Sequence, residues 1–357
     1  MYIKATFYFL SVVSQDIPSL ILYLYSSPQH FIMAPSVIDV TMQSSQPSDA
    51  IKKAPGKAIL PDYIVPLRPT PADTPMSEIR RRYEEDGYVW MKGLLPTADV
   101  WQTRKTYFEF TGPTGLIKEG TDPKDGIYCG GDWRNWVAPG PFRESLKLQN
   151  SNLEYQKRMV EAHAAPWYMA FASHPVLLNF IKDFTGWEKT TPLKRSIFRP
   201  NVKGGEPTGI HYDQIFLRGG PPTALTAWVP LGDCAINGGG LMYLNDSVSI
   251  GEKIEEDFAE AAKDFTDEQR ISAFNAHMMS GGFLSKDLRE FSKKWGRKWL
   301  AADYEAGDVV FHKAFNIHAS AVNESDVIRL ATDLRYVETE KAFDERWMEN
   351  WKPDDNL

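Results

Sequence analysis

The segment Gly209-Ile210-His211-Tyr212-Asp213-Gln214 holds a His-x-Asp pair. On an extended strand, side chains two apart share a face, so this imidazole and carboxylate converge on one ion. A third ligand has to come from a distant strand. The run Gly307-Asp308-Val309-Val310-Phe311-His312-Lys313-Ala314-Phe315-Asn316-Ile317-His318-Ala319-Ser320 offers His312 and His318. Two histidines and a carboxylate on one face leave three coordination positions open, the arrangement of Fe(II) oxygenases. Zinc hydrolases use similar ligands, but with fewer open positions and a separate general base. His312 and His318 share strand parity, so alternation does not choose between them. His30, His163, His174 and His277 stand in no ligand-like spacing and are expected to be structural or solvent-facing.

Short apolar runs separated by Gly, Pro and Asn turns carry these residues. They are Ser196 to Phe198, Ala224 to Leu231, Gly240 to Leu244, Asp308 to His312 and Ile328 to Val337. Their spacing favours an antiparallel barrel or jelly roll, a mainly β fold with flanking α-helices. The stretch Glu252 to Trp299 reads as a charged, helical insertion. Upstream, Thr74-Pro75 reads as a capping residue with proline at the first helical position, and Met76, Ile79 and Tyr83 share a helical face. Asp86-Gly87 ends that helix before a short strand, Tyr88 to Met91. A second helix is expected from Thr97, and helical patterning returns from Asn152 to Thr185. Gly112 to Gly140 is loop-like, yet carries Tyr128, Trp133 and Trp136, aromatics placed either to cover a pocket or to pin the loop.

The 357 residues suffice for one large core. We expect one catalytic domain over residues 74–357, preceded by an extension or arm over 1–73. Residues 1–32 read as an upstream extension from a misplaced start, because Met33 opens a more ordinary polar leader; a secretory signal is the alternative, and neither apolar run, interrupted by Asp16 and Pro18, is long enough to span a membrane. The net charge of -7 and the absence of a long basic run argue against a nucleic-acid partner. Cys129 and Cys234 stand in no CxxC pattern, which excludes a disulfide framework and points to reduced thiols in a cytoplasmic protein.

Several of these motifs together resemble the phytanoyl-CoA dioxygenase-like family. Arg199-Pro200-Asn201, Gly204-Gly205-Glu206-Pro207-Thr208 and His211-Tyr212-Asp213-Gln214 look like the lead into its first metal strand. Thr226-Ala227-Trp228, the turn Asn237-Gly238 through Leu241 and Ser247, and Gly307 to His312 with Ile317 to Ser320 match its later strands, closed by Arg329. Tyr83-Glu84-Glu85-Asp86-Gly87-Tyr88-Val89 resembles its opening helix and strand. The likeness runs from about residue 77 to 337 and leaves out the N-terminal segment and the helical insertion.

The resemblance implies a double-stranded β-helix (jelly roll, cupin-like) that uses Fe(II), 2-oxoglutarate and O2. It implies that His211, Asp213 and His318 hold the iron, and that Arg329 binds the distal carboxylate of 2-oxoglutarate with Ser320, Trp228 and Gln214 nearby. A planar guanidinium suits that role. Arg329 lies 11 residues past His318, as the family pattern expects, and 17 past His312, so His318 is the expected ligand. Asp213 stands where related halogenases carry a small residue, so oxygenation is implied. Local wording around His211 to Arg218, Ala235 to Leu244 and Arg329 to Tyr336 is similar to fungal members, which implies an aromatic polyketide or similar secondary metabolite. Tyr212, Phe216, Leu217, Phe315, Trp133 and Trp136 are candidate pocket aromatics and apolars. Arg195 and Arg199 are candidates for an acidic or phenolic oxygen, or else ordinary ion pairs. A zinc hydrolase and a silent binding protein on the same barrel are the rival readings.

Overall fold

The strand that carries Trp228 alternates apolar Leu225, Ala227 and Val229 with the polar or larger Thr226 and Trp228, and that alternation separates two environments. The computed structural model describes residues 52–54, 57–136, 152–271 and 283–352, with backbone alone before residue 60. All belong to one compact unit, Gln46–Leu357. The expected 1–32 extension, His30 and His277 lie outside the described residues.

Along the chain run β1 (Lys52–Ala54), β2 (Lys57–Ile59), β3 (Ile64–Pro66), β4 (Pro69–Thr70), α1 (Met76–Asp86), β5 (Tyr88–Met91) and α2 (Thr97–Thr111). Then come α3 (Leu153–Ala164), α4 (Pro166–Ala172), α5 (Pro175–Thr185), β6 (Thr190–Pro192), β7 (Ile197–Asn201), β8 (Leu225–Pro230) and β9 (Leu241–Leu244). The chain continues through α6 (Val248–Ala261), α7 (Leu288–Trp295), β10 (Trp299–Ala301), β11 (Val309–His312), β12 (His318–Ser320) and β13 (Arg329–Glu338).

A seven-stranded sheet has the order β4-β5-β11-β8-β13-β6, with β7 also paired to β13. A four-stranded sheet has the order β12-β9-β10-β3. The β3–β10 and β4–β5 pairs are parallel and the other pairs antiparallel. The two sheets and flanking helices form the double-stranded β-helix expected from the sequence. From Leu60 on, the segment expected as an arm supplies an edge strand to each sheet.

Period-2 alternation sorts the large sheet's side chains. Ala227, Val229, Val309, Phe311, Leu330 and Leu334 face α2 to α5 and form the largest apolar cluster. Their neighbours Trp228, Val310 and Ala331 face the smaller sheet, where they pack with Leu241, Tyr243 and Tyr304. The smaller sheet turns Met242, Leu244, Trp299 and Ala319 outward to Tyr212, Ile215 and Phe291. The polar residues that share the inward parity are the subject of the next section.

Three local expectations change. Thr74 does not cap α1: Pro75 occupies the capping position in an extended conformation, and no side chain bonds the first turn. Gly87 ends that helix at φ 74°, a backbone region that favours glycine, and donates to the carbonyl of Tyr83. The stretch Asn152 to Thr185 is three helices, because Pro166 and Pro175 force Ala165 and His174 into extended backbone. The helical insertion begins at Val248 and ends in β10, while residues 272–282 lie outside the described set.

Candidate metal centre

His211 and His318 lie opposite each other in an isolated antiparallel bridge. Each backbone N–H donates to the other's carbonyl, at 3.0 and 2.8 Å. Residues so paired put their side chains on one face, and the two imidazole rings are 4.2 Å apart. Asp213 is not on a strand, as alternation alone suggested; it opens a 3-10 turn, Asp213–Ile215. The convergence survives the change of backbone. Ligand atoms of His211, Asp213 and His318 all lie within 4.8 Å of one another, and all three residues are buried. Gly209 matters here: a Cβ at that position would meet the Phe283 ring at 2.5 Å. Phe283 and Phe216 both pack against the His211 ring, at 5.9 and 5.5 Å.

The two histidines are oriented alike. Nδ1 of His211 bonds the carbonyl of Gly209 at 2.8 Å, and Nδ1 of His318 bonds that of Asn316 at 2.9 Å. Only a protonated Nδ1 can donate to a carbonyl, so each Nε2 carries the lone pair a metal needs. Burial, then the neighbouring His312, pushes the His318 pKa down to about 4. Burial and the closeness of His318 drive that of His211 well down too. Both rings are therefore neutral near pH 7.

Asp213 is held by three donors. Thr226 Oγ1 donates to Oδ2 at 2.5 Å and His312 Nε2 to the same oxygen at 3.2 Å. Arg335 Nη2 donates to Oδ1 at 2.9 Å. Burial raises the acid's pKa, but Arg335 first and then His312 and His318 outweigh it, so the carboxylate stays ionised. Its Oδ1 lies 3.9 Å from His318 Nε2 and is the oxygen turned toward the histidines.

His312 and His318 share parity in the sequence, yet they sit on β11 and β12, in different sheets. Both ring nitrogens of His312 are engaged, Nε2 with Asp213 and Nδ1 with the Tyr243 hydroxyl at 3.0 Å. It has no lone pair to spare for an ion.

Arg329 is buried on β13 and pairs in register with Asn201. Its Nε donates to Gly239 O at 2.7 Å, Nη1 to Arg199 O at 2.9 Å and Nη2 to Ser320 Oγ at 3.3 Å. A guanidinium has five N–H donors, so two stay available to a carboxylate. Burial brings its pKa down to about 10, still cationic at neutral pH. Trp228 packs edge-on to Tyr304, 4.7 Å between ring centroids. Gln214 donates to Gly220 O at 3.0 Å, and its Oε1 is buried without a partner among the described residues.

The remaining candidates are scattered. Tyr212 points away from the triad and donates to Glu255 on α6 at 2.6 Å, with Arg218 on the same carboxylate. Phe315 lies against Tyr212 at 5.9 Å. Arg199 bonds Asp333 at 2.7 Å. Arg195 is buried over Trp351, 5.0 Å from the ring. Trp133 and Trp136 pack into the helix-side cluster. Cys129 and Cys234 are both free thiols. Sequence reading missed Thr226, Tyr243, Asp333 and Arg335. The missed signal for three of them was parity: Thr226 is two before Trp228, and Asp333 and Arg335 keep step with Arg329.

The donor set fits iron. Two neutral imidazoles and one carboxylate, buried and gathered on one side, leave the positions an O2-using site requires. Among the described residues no helix is long and apolar enough to cross a membrane.

The phytanoyl-CoA dioxygenase (PhyH) family model matches residues 83–331. A search of curated proteins finds no match. Among solved structures, the non-heme alpha-ketoglutarate-dependent carbocyclase SnoK from nogalamycin biosynthesis is 21% identical with a TM-score of 0.46, over 77% of this chain and 88% of its own. The epimerase SnoN from the same biosynthesis is 18% identical with a TM-score of 0.43, over 74% and 82%. EctD from S. alaskensis, with bound Fe, is 15% identical with a TM-score of 0.45, over 74% and 78%.

Proposed function

This chain belongs to the phytanoyl-CoA dioxygenase (PhyH) family, and from that premise we propose that it oxidises a small aromatic metabolite at a centre built on His211, Asp213 and His318. It is an Fe(II)- and 2-oxoglutarate-dependent oxidoreductase. The observation that carries the assignment of the centre is the pair of half-satisfied histidines beside Asp213, with all ligand atoms within 4.8 Å. Bound there, iron with 2-oxoglutarate and O2 would supply the oxidation of a substrate C–H bond, with succinate and CO2 as co-products.

The chain's own residues do the positioning. Gly209 O and Asn316 O hold the two Nδ1–H groups and so aim both Nε2 atoms inward. Thr226, His312 and Arg335 fix the Asp213 carboxylate and keep it ionised. Arg329, pinned by two carbonyls and Ser320, would hold the distal carboxylate of 2-oxoglutarate. Phe216 and Phe283 beside His211 supply apolar walls that exclude water and suit a flat aromatic substrate. The likeness of the motif wording to fungal members supports a secondary metabolite, hydroxylated or oxidatively rearranged.

The test is anaerobic addition of Fe(II) and 2-oxoglutarate to the purified protein. A weak visible charge-transfer band is expected in wild type and in His312→Ala, and none in His318→Ala. No band in folded wild type, together with O2-independent turnover on Zn(II), would move the assignment to a zinc hydrolase. Product analysis with aromatic polyketides and with phytanoyl-CoA separates the substrate classes.

A further inference from the structure

We propose that Arg335 recognises a carboxylate on the substrate, so that this enzyme takes an aromatic acid in preference to its neutral ester. The argument begins with an incomplete hydrogen-bond account. The Arg335 side chain is 1% exposed. It spends Nη2 on Asp213 Oδ1, while Nε and Nη1 are buried with no acceptor among the described residues. Leaving a buried donor unsatisfied costs about 1–3 kcal/mol, and more on a charged group. Oδ2 of Asp213 cannot absorb those donors, because Thr226 and His312 already occupy it.

The guanidinium that bonds Asp213 also lies over an aromatic ring. Arg335 pairs in register with Thr226, so both rise from the inner face beside Asp213. The guanidinium carbon lies 4.7 Å from the Trp347 ring. Trp347 Nε1 donates to Phe216 O at 3.3 Å, which ties that wall to the segment behind His211. A ring lying along Phe216 and Trp347 would present an acidic substituent to Arg335 and a neighbouring C–H to the centre.

Charge points the same way. Among the inner-face groups, Arg335 is matched by Asp213 and Arg199 by Asp333. With iron and the 2-oxoglutarate dianion in place, Arg329 remains as one positive charge over. A net charge in a low-dielectric interior is unfavourable, and a substrate monoanion removes it. In this respect the inference rests on the iron and 2-oxoglutarate reading. The unpartnered donors do not depend on it.

The probes are meta-toluate and its methyl ester, titrated by calorimetry into anaerobic enzyme holding Fe(II) and excess 2-oxoglutarate, with the visible band recorded alongside. Wild type is expected to bind toluate at least about tenfold more tightly than the ester, the worth of one charge-assisted hydrogen bond. Arg335→Gln should bring the ratio to about one, read on variant protein that still shows the band; Arg335→Lys, which keeps a cation beside Asp213, should restore part of it. Failure of toluate to bind, equal binding of acid and ester by wild type, or an unchanged ratio in band-retaining Arg335→Gln overturns the proposal. If Arg335→Gln does not fold, the wild-type ratio and Arg335→Lys decide. A missing band in wild type counts against the cofactor reading, while the calorimetric ratio still decides this one.

Discussion

His163 and His318 are both deeply buried and both pushed to a pKa of about 4 by burial, yet they stand on opposite sides of the seven-stranded sheet and do different things. His163, on α3, is fully satisfied: Nδ1 donates to Met159 O at 2.6 Å and Nε2 accepts from the Phe198 N–H at 2.9 Å. His318 is half satisfied, with Nδ1 tied to Asn316 O and Nε2 turned to Asp213 Oδ1 and His211. Burial alone therefore does not mark a ligand histidine. A ring nitrogen left free beside a second imidazole and a carboxylate does. The faces differ for the same reason. The helix side is closed by apolar contacts, whereas the inner side gathers groups whose donors and lone pairs are aimed at something further.

The largest expected effect breaks the inner side. Asp213→Ala removes an oxygen ligand and leaves Arg335 and His312 facing a gap, so the charge-transfer band and turnover should both fall to background. Full activity in that variant would falsify the site. The matching cut on the helix side is Phe311→Ala, since Phe311 is fully buried and stacks on Phe180 at 5.0 Å. Chemical denaturation should show a loss of about 3–5 kcal/mol. Iron affinity per folded molecule should hold, and a large change there would mean the faces are not independent.

His163 sharpens the contrast through pH. Its folded pKa lies below the ordinary 6.5, so between 6.5 and about 4 the unfolded chain binds a proton that the folded chain refuses. Stability is then lost as pH falls through that window, by up to roughly 1.4 kcal/mol per pH unit for this one group. His163→Gln should remove that share of the slope in denaturation midpoints and leave the iron band unchanged. An unaltered slope would show that His163 is protonated in the fold. The smallest effect belongs to His312→Ala. It should weaken iron binding roughly 10–100-fold, as loss of a ligand's hydrogen-bond partner does, while keeping the band that His318→Ala loses.

Much of this was legible in the residue order. The strands over Leu225–Pro230, Val309–His312 and Arg329–Glu338 appear within a residue or two of where turn chemistry and apolar runs placed them. The helix beginning at Thr97 starts where it was expected. The His-x-Asp pair converges, though on a bridge and a 3-10 turn instead of one strand. Breaks in helix at Pro166 and Pro175 were available from the prolines themselves. Thr226 and Arg335 were available from parity, but nothing local singles them out, because their roles depend on Asp213 arriving from another segment.

The sequence by itself determined the chemistry on offer: two imidazoles, a carboxylate and an arginine, carried on segments whose period of two turns every second residue inward. Tertiary structure decided which histidine serves. Parity orders side chains along a single strand, and His312 and His318 are on different strands in different sheets. Only the bridge between two distant segments sets His318 opposite His211, and only the packing of Tyr243 and Asp213 around His312 uses up both of its nitrogens. The same holds for Arg335, whose unused donors come to light once Thr226 and His312 are seen to hold the far side of Asp213. Hydrogen-bond saturation is a property of the assembled interior, and no spacing along the chain encodes it.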